Sequence, residues 1–262
     1  MRIGVLLKEV PDTYSDPEMS METGLTDRTG DVVSDEVGER AVEAALRIAE
    51  GIDGAVVELL SVGPESAAAS IRKGIAMGAS EAYLISDDAL IGADVTLTAE
   101  VLAAVVEKND YDLVVTGAAS SDGGGGVMAS LIGELLNYPS LNNLTEVSVE
   151  GSTVTATQAG DGEIVRLEAT LPAVVGVSDG FPDARFPNFK GLMAAKKHEL
   201  KSYTLAELGV DPEDWDRARS IMVSIERRPA RERGEIIDGD STAAAALVDF
   251  LQDRDLLPRS RS

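Results

Sequence analysis

Residues 112–137 read DLVVTGAASSDGGGGVMASLIGELLN. The opening DLVVTG (112–117) is a short run rich in β-branched residues, the signature of a buried strand. GVMASLIGELLN (126–137) has apolar residues at helical spacing. Between them lie four consecutive glycines, Gly123 to Gly126. Strand, glycine loop and helix in this order predict one βα unit of a parallel sheet.

The same rhythm continues on both sides. RIGVLLK (2–8), AVVELLSVG (55–63), AYLIS (82–86) and LPAVVGVSD (171–179) read as strands. EVGERAVEAALRIAE (36–50), ESAAASIRKGIAMG (65–78) and DVTLTAEVLAAVVEKN (94–109) read as helices. This predicts an α/β, doubly wound, mainly parallel sheet with helices on both faces. After Pro139 the texture becomes β-rich with Gly151 and Asp161–Gly162 as turns, so a small antiparallel excursion is expected over 145–169. The expected division is an α/β nucleotide-binding domain over 1–200 and a C-terminal arm over 201–262. In the arm, IMVSIE (221–226) is a candidate short strand. STAAAALVDFLQDRD (241–255) is a candidate helix with Ser241 or Asp240 as N-cap.

The chain has 262 residues, 46 acids, 23 bases, one histidine and no cysteine. The cysteine count excludes disulfides, iron–sulfur clusters and thiolate catalysis, and the lone histidine excludes nearly all zinc sites. No metal ligands are expected. Any handling of electrons would need an organic cofactor. A net charge of -23 argues against nucleic acid. No apolar run approaches the roughly 18–20 residues of a membrane span. No signal peptide is read at the N-terminus, so a cytoplasmic location is expected. Abundant acids with scarce lysine suit solubility in concentrated salt and suggest a halophilic source; an ordinary acidic protein is the other reading.

Against that background RFPNFKGLMAAKKHELK (185–201) is a basic island holding four of the seven lysines and the only histidine, His198. Apolar residues flanked by cations suit a docking anchor. A helix with its apolar face in the core and its lysines solvated is the alternative. The glycine loop likewise has two readings. Its free N–H groups and the following helix N-terminus suit a phosphate, without the lysine that phosphoryl transfer needs. It would equally serve as a plain surface loop. KEVPDT (8–13), SVGPES (61–66) and SDEVGE (34–39) leave or precede elements at the same edge of the sheet.

Together KEVPDT, AVEAALRIAE, GPESAAASIRKGIAMGA, DLVVTGAASSDGGGG, LPAVVGV and RFPNFKGLMAAKKHEL resemble the beta subunit of electron transfer flavoproteins over residues 1–201. The resemblance implies an adenine-nucleotide α-hydrolase-like sheet and a heterodimer with an alpha subunit holding most of the FAD. It also implies AMP, or a second FAD in bifurcating members, bound in this chain. Carried over by position, the nucleotide contacts fall on Leu6, Asp35, Glu36, Val37, Gly38, Val62, Gly117, Ser120, Ser121, Asp122, Gly123, Gly124, Gly125, Gly126, Val127 and Met128. Partner docking falls on Arg185, Phe186, Phe189, Lys190, Leu192, Met193, Lys196 and Lys197, with Phe189 where the family usually has leucine. Acyl-CoA or related dehydrogenases would donate electrons, and a membrane quinone oxidoreductase or another acceptor would take them. No side chain would serve as acid, base or nucleophile, so the chain reads as an electron-carrier subunit rather than an enzyme, with bifurcation left open. The arm would contact the alpha subunit.

The chain departs from the family pattern at Gly117-Ala118-Ala119-Ser120, at Asp122-Gly123-Gly124-Gly125-Gly126-Val127 and at Asp35-Glu36. Backbone amides would then replace lost phosphate-binding side chains. A stand-alone adenine-nucleotide sensor of the universal-stress type is the second reading.

Overall fold

The computed structural model describes residues 1–231, 233, 234, 236, 237, 239 and 241–257. Its centre is an eight-stranded sheet. Five strands are mutually parallel: β1 (Arg2–Leu6), β4 (Val56–Val62), β5 (Glu81–Ile85), β6 (Leu113–Gly117) and β10 (Ala173–Val177). The order across these five is β5-β4-β1-β6-β10, and three further strands follow beyond β10. Strands β7 (Ser140–Glu150), β8 (Thr153–Gly160) and β9 (Glu163–Thr170) extend it as an antiparallel meander. The expected excursion over 145–169 is thus part of the main sheet. The start of β7 runs parallel to β10, with Val174 opposite Ser140, before the strand leaves to pair with β8.

The helices cover both faces, as the near-continuous apolar strands require. One face packs α1 (Glu36–Glu50) and α2 (Ala68–Met77) over Ile3, Val5, Val57 and Leu59. The other packs α3 (Val95–Asn109) and α4 (Met128–Leu136) over Leu6, Leu60, Val114 and Val174. In β1 Ile3 and Val5 feed one core and Leu6 the other, and Leu7 just past the strand returns to the first. Local chemistry sets the helix ends. Asp35 caps α1 by accepting from the Val37 and Gly38 amides, and Asp94 caps α3 by accepting from Leu97 N–H. Asp110 and Asn137 close α3 and α4 in the left-handed conformation.

The sequence did not predict a short antiparallel ribbon of β2 (Glu9–Pro11) and β3 (Val32–Ser34). It closes the loop between them and brings Arg28 back to the carboxyl edge of the sheet, where its guanidinium donates to Glu9 O at 2.9 Å.

The compact unit runs to Ile225, beyond the expected boundary at 200. Lys201 pairs as a parallel bridge with Tyr83 on edge strand β5, and α6 (Leu205–Leu208) packs by α3. Arg219 grips Glu100 with two 2.8 Å bonds. IMVSIE (221–226) forms no strand: Ile221, Met222 and Val223 are exposed and pair with no neighbouring backbone. The second unit, from Glu226 on, contains α7 (Ala243–Asp253). Its N-cap is Thr242 rather than Ser241, and Asp240 lies outside the described residues. Among the described residues no helix is long and apolar enough to cross a membrane, and no cluster of acids, His or Cys could hold a metal.

Helix α5 (Phe189–Lys197) sits against α2. A side chain at Gly191 would overlap the Ala76 carbonyl oxygen, so only glycine permits this approach. Gly191→Ala is expected to lift α5 from α2. It should cost about 1–3 kcal/mol in urea unfolding and raise amide exchange across 189–197.

Candidate functional site

The parallel strands reverse their direction of winding between β1 and β6. Crevices outside the carboxyl ends of strands at such a point are where open α/β sheets bind ligands. Here Leu6, Val62 and Gly117, at the ends of β1, β4 and β6, open into a cleft of about 1080 Å³. Leu60, Leu90 and Leu102 add apolar wall, and Ser61, Thr98 and Thr116 add hydroxyls.

Asp35 shapes one side. One carboxylate oxygen accepts from the Val37 and Gly38 amides, both at 3.1 Å, and the other from Ser121 N–H at 2.8 Å. The start of α1 and the glycine loop are thereby tied together. Within the loop Gly124 and Gly126 have φ of 58° and 65°, which a side chain would strain. No side chain caps α4, whose N-cap is Val127. Its first amides are left to an external acceptor.

The cleft is mostly acidic. Glu9, Asp35, Glu65, Asp87, Asp88, Asp94 and Asp122 line it, against the cations Lys8 and Arg28. Both cations meet at Asp122, 6% exposed: Lys8 Nζ at 2.7 Å from one oxygen and Arg28 at 2.6 Å from the other. Burial would push this carboxyl up. Contacts with Lys8, Ser120 and Arg28 outweigh it and hold Asp122 far below the usual carboxylate range. Asp94, at the cleft edge, also accepts Ser220 N–H at 2.6 Å.

Of the residues expected at a nucleotide, Leu6, Asp35, Gly38, Val62, Gly117, Ser120, Asp122, Gly123, Gly125, Gly126, Val127 and Met128 line this cleft. Glu36, Val37, Ser121 and Gly124 do not; they stand in its supports. Lys8 and Arg28 were missed. Lys8 stands in the flagged KEVPDT segment, but nothing in the sequence signalled Arg28. An apolar wall, an uncapped helix start and two cations fit a nucleotide, with base and phosphate respectively.

The basic island lies apart from the cleft. Phe186 and Phe189 are 96% and 79% exposed, and Leu192 and Met193 are also exposed. Lys190, Lys196 and Lys197 are exposed and form no ion pair among the described residues. The core-facing alternative fails for this helix, where only Ala195 is buried. Arg185 behaves differently. Its guanidinium binds buried Glu43 at 2.7 Å and Glu50 at 2.5 Å, so it anchors the segment and offers no free charge. Lys201 is likewise taken by Glu81, which His198 also meets at 3.2 Å.

A cleft at the switch point and, apart from it, an apolar-tipped helix with exposed lysines on a clamped segment are the two surface features this α/β fold presents. Residues 25–208 match the electron transfer flavoprotein domain. An electron transfer flavoprotein subunit beta of Mycobacterium bovis is 40% identical over 258 residues, covering 95% of this chain and 97% of its own. One from Bacillus subtilis is 30% identical, covering 96% and 98%. The caffeyl-CoA reductase-Etf complex subunit CarD of Acetobacterium woodii is 30% identical, covering 98% and 100%. This chain belongs to the electron transfer flavoprotein family, and its similarity runs the length of the beta subunits.

Glu43 generates a pH prediction. Burial raises its carboxyl, but hydrogen bonds from Arg185 and Arg47 outweigh burial and lower it. The folded value lies below the unfolded one. The clamp therefore contributes fully above about pH 4.3 and fades as pH falls through the folded value. Glu43→Gln is expected to lose about 2 kcal/mol at pH 7, less than a wholly buried pair because Arg185 stays one-third exposed. Urea unfolding should show the gap from wild type narrowing in acid.

Proposed function

We propose that this chain is the beta subunit of a heterodimeric electron transfer flavoprotein. It takes electrons from acyl-CoA or related dehydrogenases and delivers them to a membrane quinone oxidoreductase or another acceptor. FAD, held mostly by the alpha subunit, carries the electrons. Residues of this chain bind, position and exclude water. AMP, or a second FAD in a bifurcating complex, would occupy the switch-point cleft. Leu6, Leu60 and Val62 would contact the base, and the amides at the start of α4 with Lys8 and Arg28 would face the phosphate. The C-terminal arm would lie against the alpha subunit, in the cytoplasm. The acid-rich composition suits a salt-rich cell.

The observation that carries this reading is the exposed Phe189 on α5, seated on α2 and flanked by free lysines. Apolar anchors of this kind supply affinity, while Lys190, Lys196 and Lys197 would steer encounter with an acidic partner. Met193 and Leu192 would widen the anchor beside Phe186. A stable α5 presents these side chains without an ordering cost at encounter.

Phe189→Ala in the heterodimer is expected to lower kcat/KM for electron transfer from an acyl-CoA dehydrogenase by about tenfold or more, with flavin content unchanged. Unchanged transfer would remove the docking role. Lys196→Glu with Lys197→Glu should slow transfer at low salt and lose that difference as salt rises.

A further inference from the structure

The two cations of the cleft are already occupied. Lys8 Nζ and the Arg28 guanidinium each hold a different oxygen of the Asp122 carboxylate, at 2.7 and 2.6 Å. No other acid takes them: Glu9, next to Lys8 in sequence, accepts instead from the Ser70 hydroxyl at 2.6 Å. Asp35 is spent on backbone amides. Two cations converging on the two oxygens of one buried carboxylate make the arrangement a phosphate would also seek. The other charged residues of the lining are acidic, so among the described residues these two are the only cationic side chains lining the cleft. Asp122 is followed at once by Gly123–Gly126, and the space beside Gly124 is open.

We propose that Asp122 is an internal stand-in for phosphate, which holds Lys8 and Arg28 until the phosphoryl group of an adenine ligand displaces it, and so sets how strongly the cleft favours phosphorylated ligands. The proposal rests on the nucleotide reading of the cleft. It makes Asp122 a competitor of the ligand, although the family motif would place it among the ligand's contacts. With the carboxylate in place, an incoming phosphate meets two cations and one anion. With the carboxylate neutral, it meets two free cations. Lys8 is 46% exposed and Arg28 30% exposed, so both can turn from the carboxylate toward the ligand.

The test is calorimetric binding of AMP, and separately of adenosine, to the heterodimer freed of its nucleotide. Asp122→Asn should bind AMP about tenfold tighter, within the usual size of such couplings, with adenosine unchanged. Asp122→Ser repeats the measurement if the amide variant fails to fold. Unchanged or weaker AMP binding in a folded variant, with adenosine still bound, overturns the stand-in role and leaves the nucleotide reading intact. It would mean that the carboxylate merely aims the two cations. Failure of wild type to bind either ligand overturns both readings.

Discussion

The carboxylate of Asp35 joins two elements that are 86 residues apart in sequence. Its oxygens cap α1 and hold the amide of Ser121, fixing the glycine loop against the helix start. The cleft depends on this tie. Without it the glycine loop would lose its hold on the start of α1 and keep only the Lys8–Asp122 pair as a side-chain tie to the end of β1. An N-cap alone contributes about 1 kcal/mol; here the same side chain also sets the shape of a binding site. The acidic residue that the family pattern does not expect at this position thus serves the backbone and need not face the nucleotide.

The segment from Arg185 to Lys201 is held by a different logic. Arg185 is clamped to Glu43 and Glu50 before α5, Gly191 lets the helix settle on α2, and Lys201 joins edge strand β5 after it. Both ends are fixed and the middle projects Phe186 and Phe189. Lys196 and Lys197 lie in the last turn of α5, where cations also complement the helix dipole. Part of the basic island is therefore structural. The part with no ion-pair partner among the described residues is Lys190, Lys196 and Lys197.

The βα rhythm made the sheet legible, because the parallel strands are buried on both faces and the helices between them keep their period. The glycine loop was legible as a turn at the carboxyl edge of the sheet from its place after β6. Less could be read where geometry depends on distant partners. Arg28 reaches the cleft only because β2 and β3 pair, and three-residue strands with Pro11 in one of them leave little periodicity. Arg185 looked like a free docking cation because its partner Glu43 lies 142 residues earlier, on a helix face that the sequence shows only as one acid among many. IMVSIE had strand composition, yet Ile221, Met222 and Val223 stay exposed and the segment joins no sheet.

The central claim is a nucleotide in the switch-point cleft of an electron-carrier subunit. The most direct measurement is to purify this chain with its alpha subunit in high salt, denature the complex and identify the released nucleotides by mass. One FAD with one AMP, or two FAD, per heterodimer is the predicted result, and the ratio decides between a simple carrier and a bifurcating one. A heterodimer that releases FAD at one per complex and no second nucleotide would contradict the assignment of the cleft.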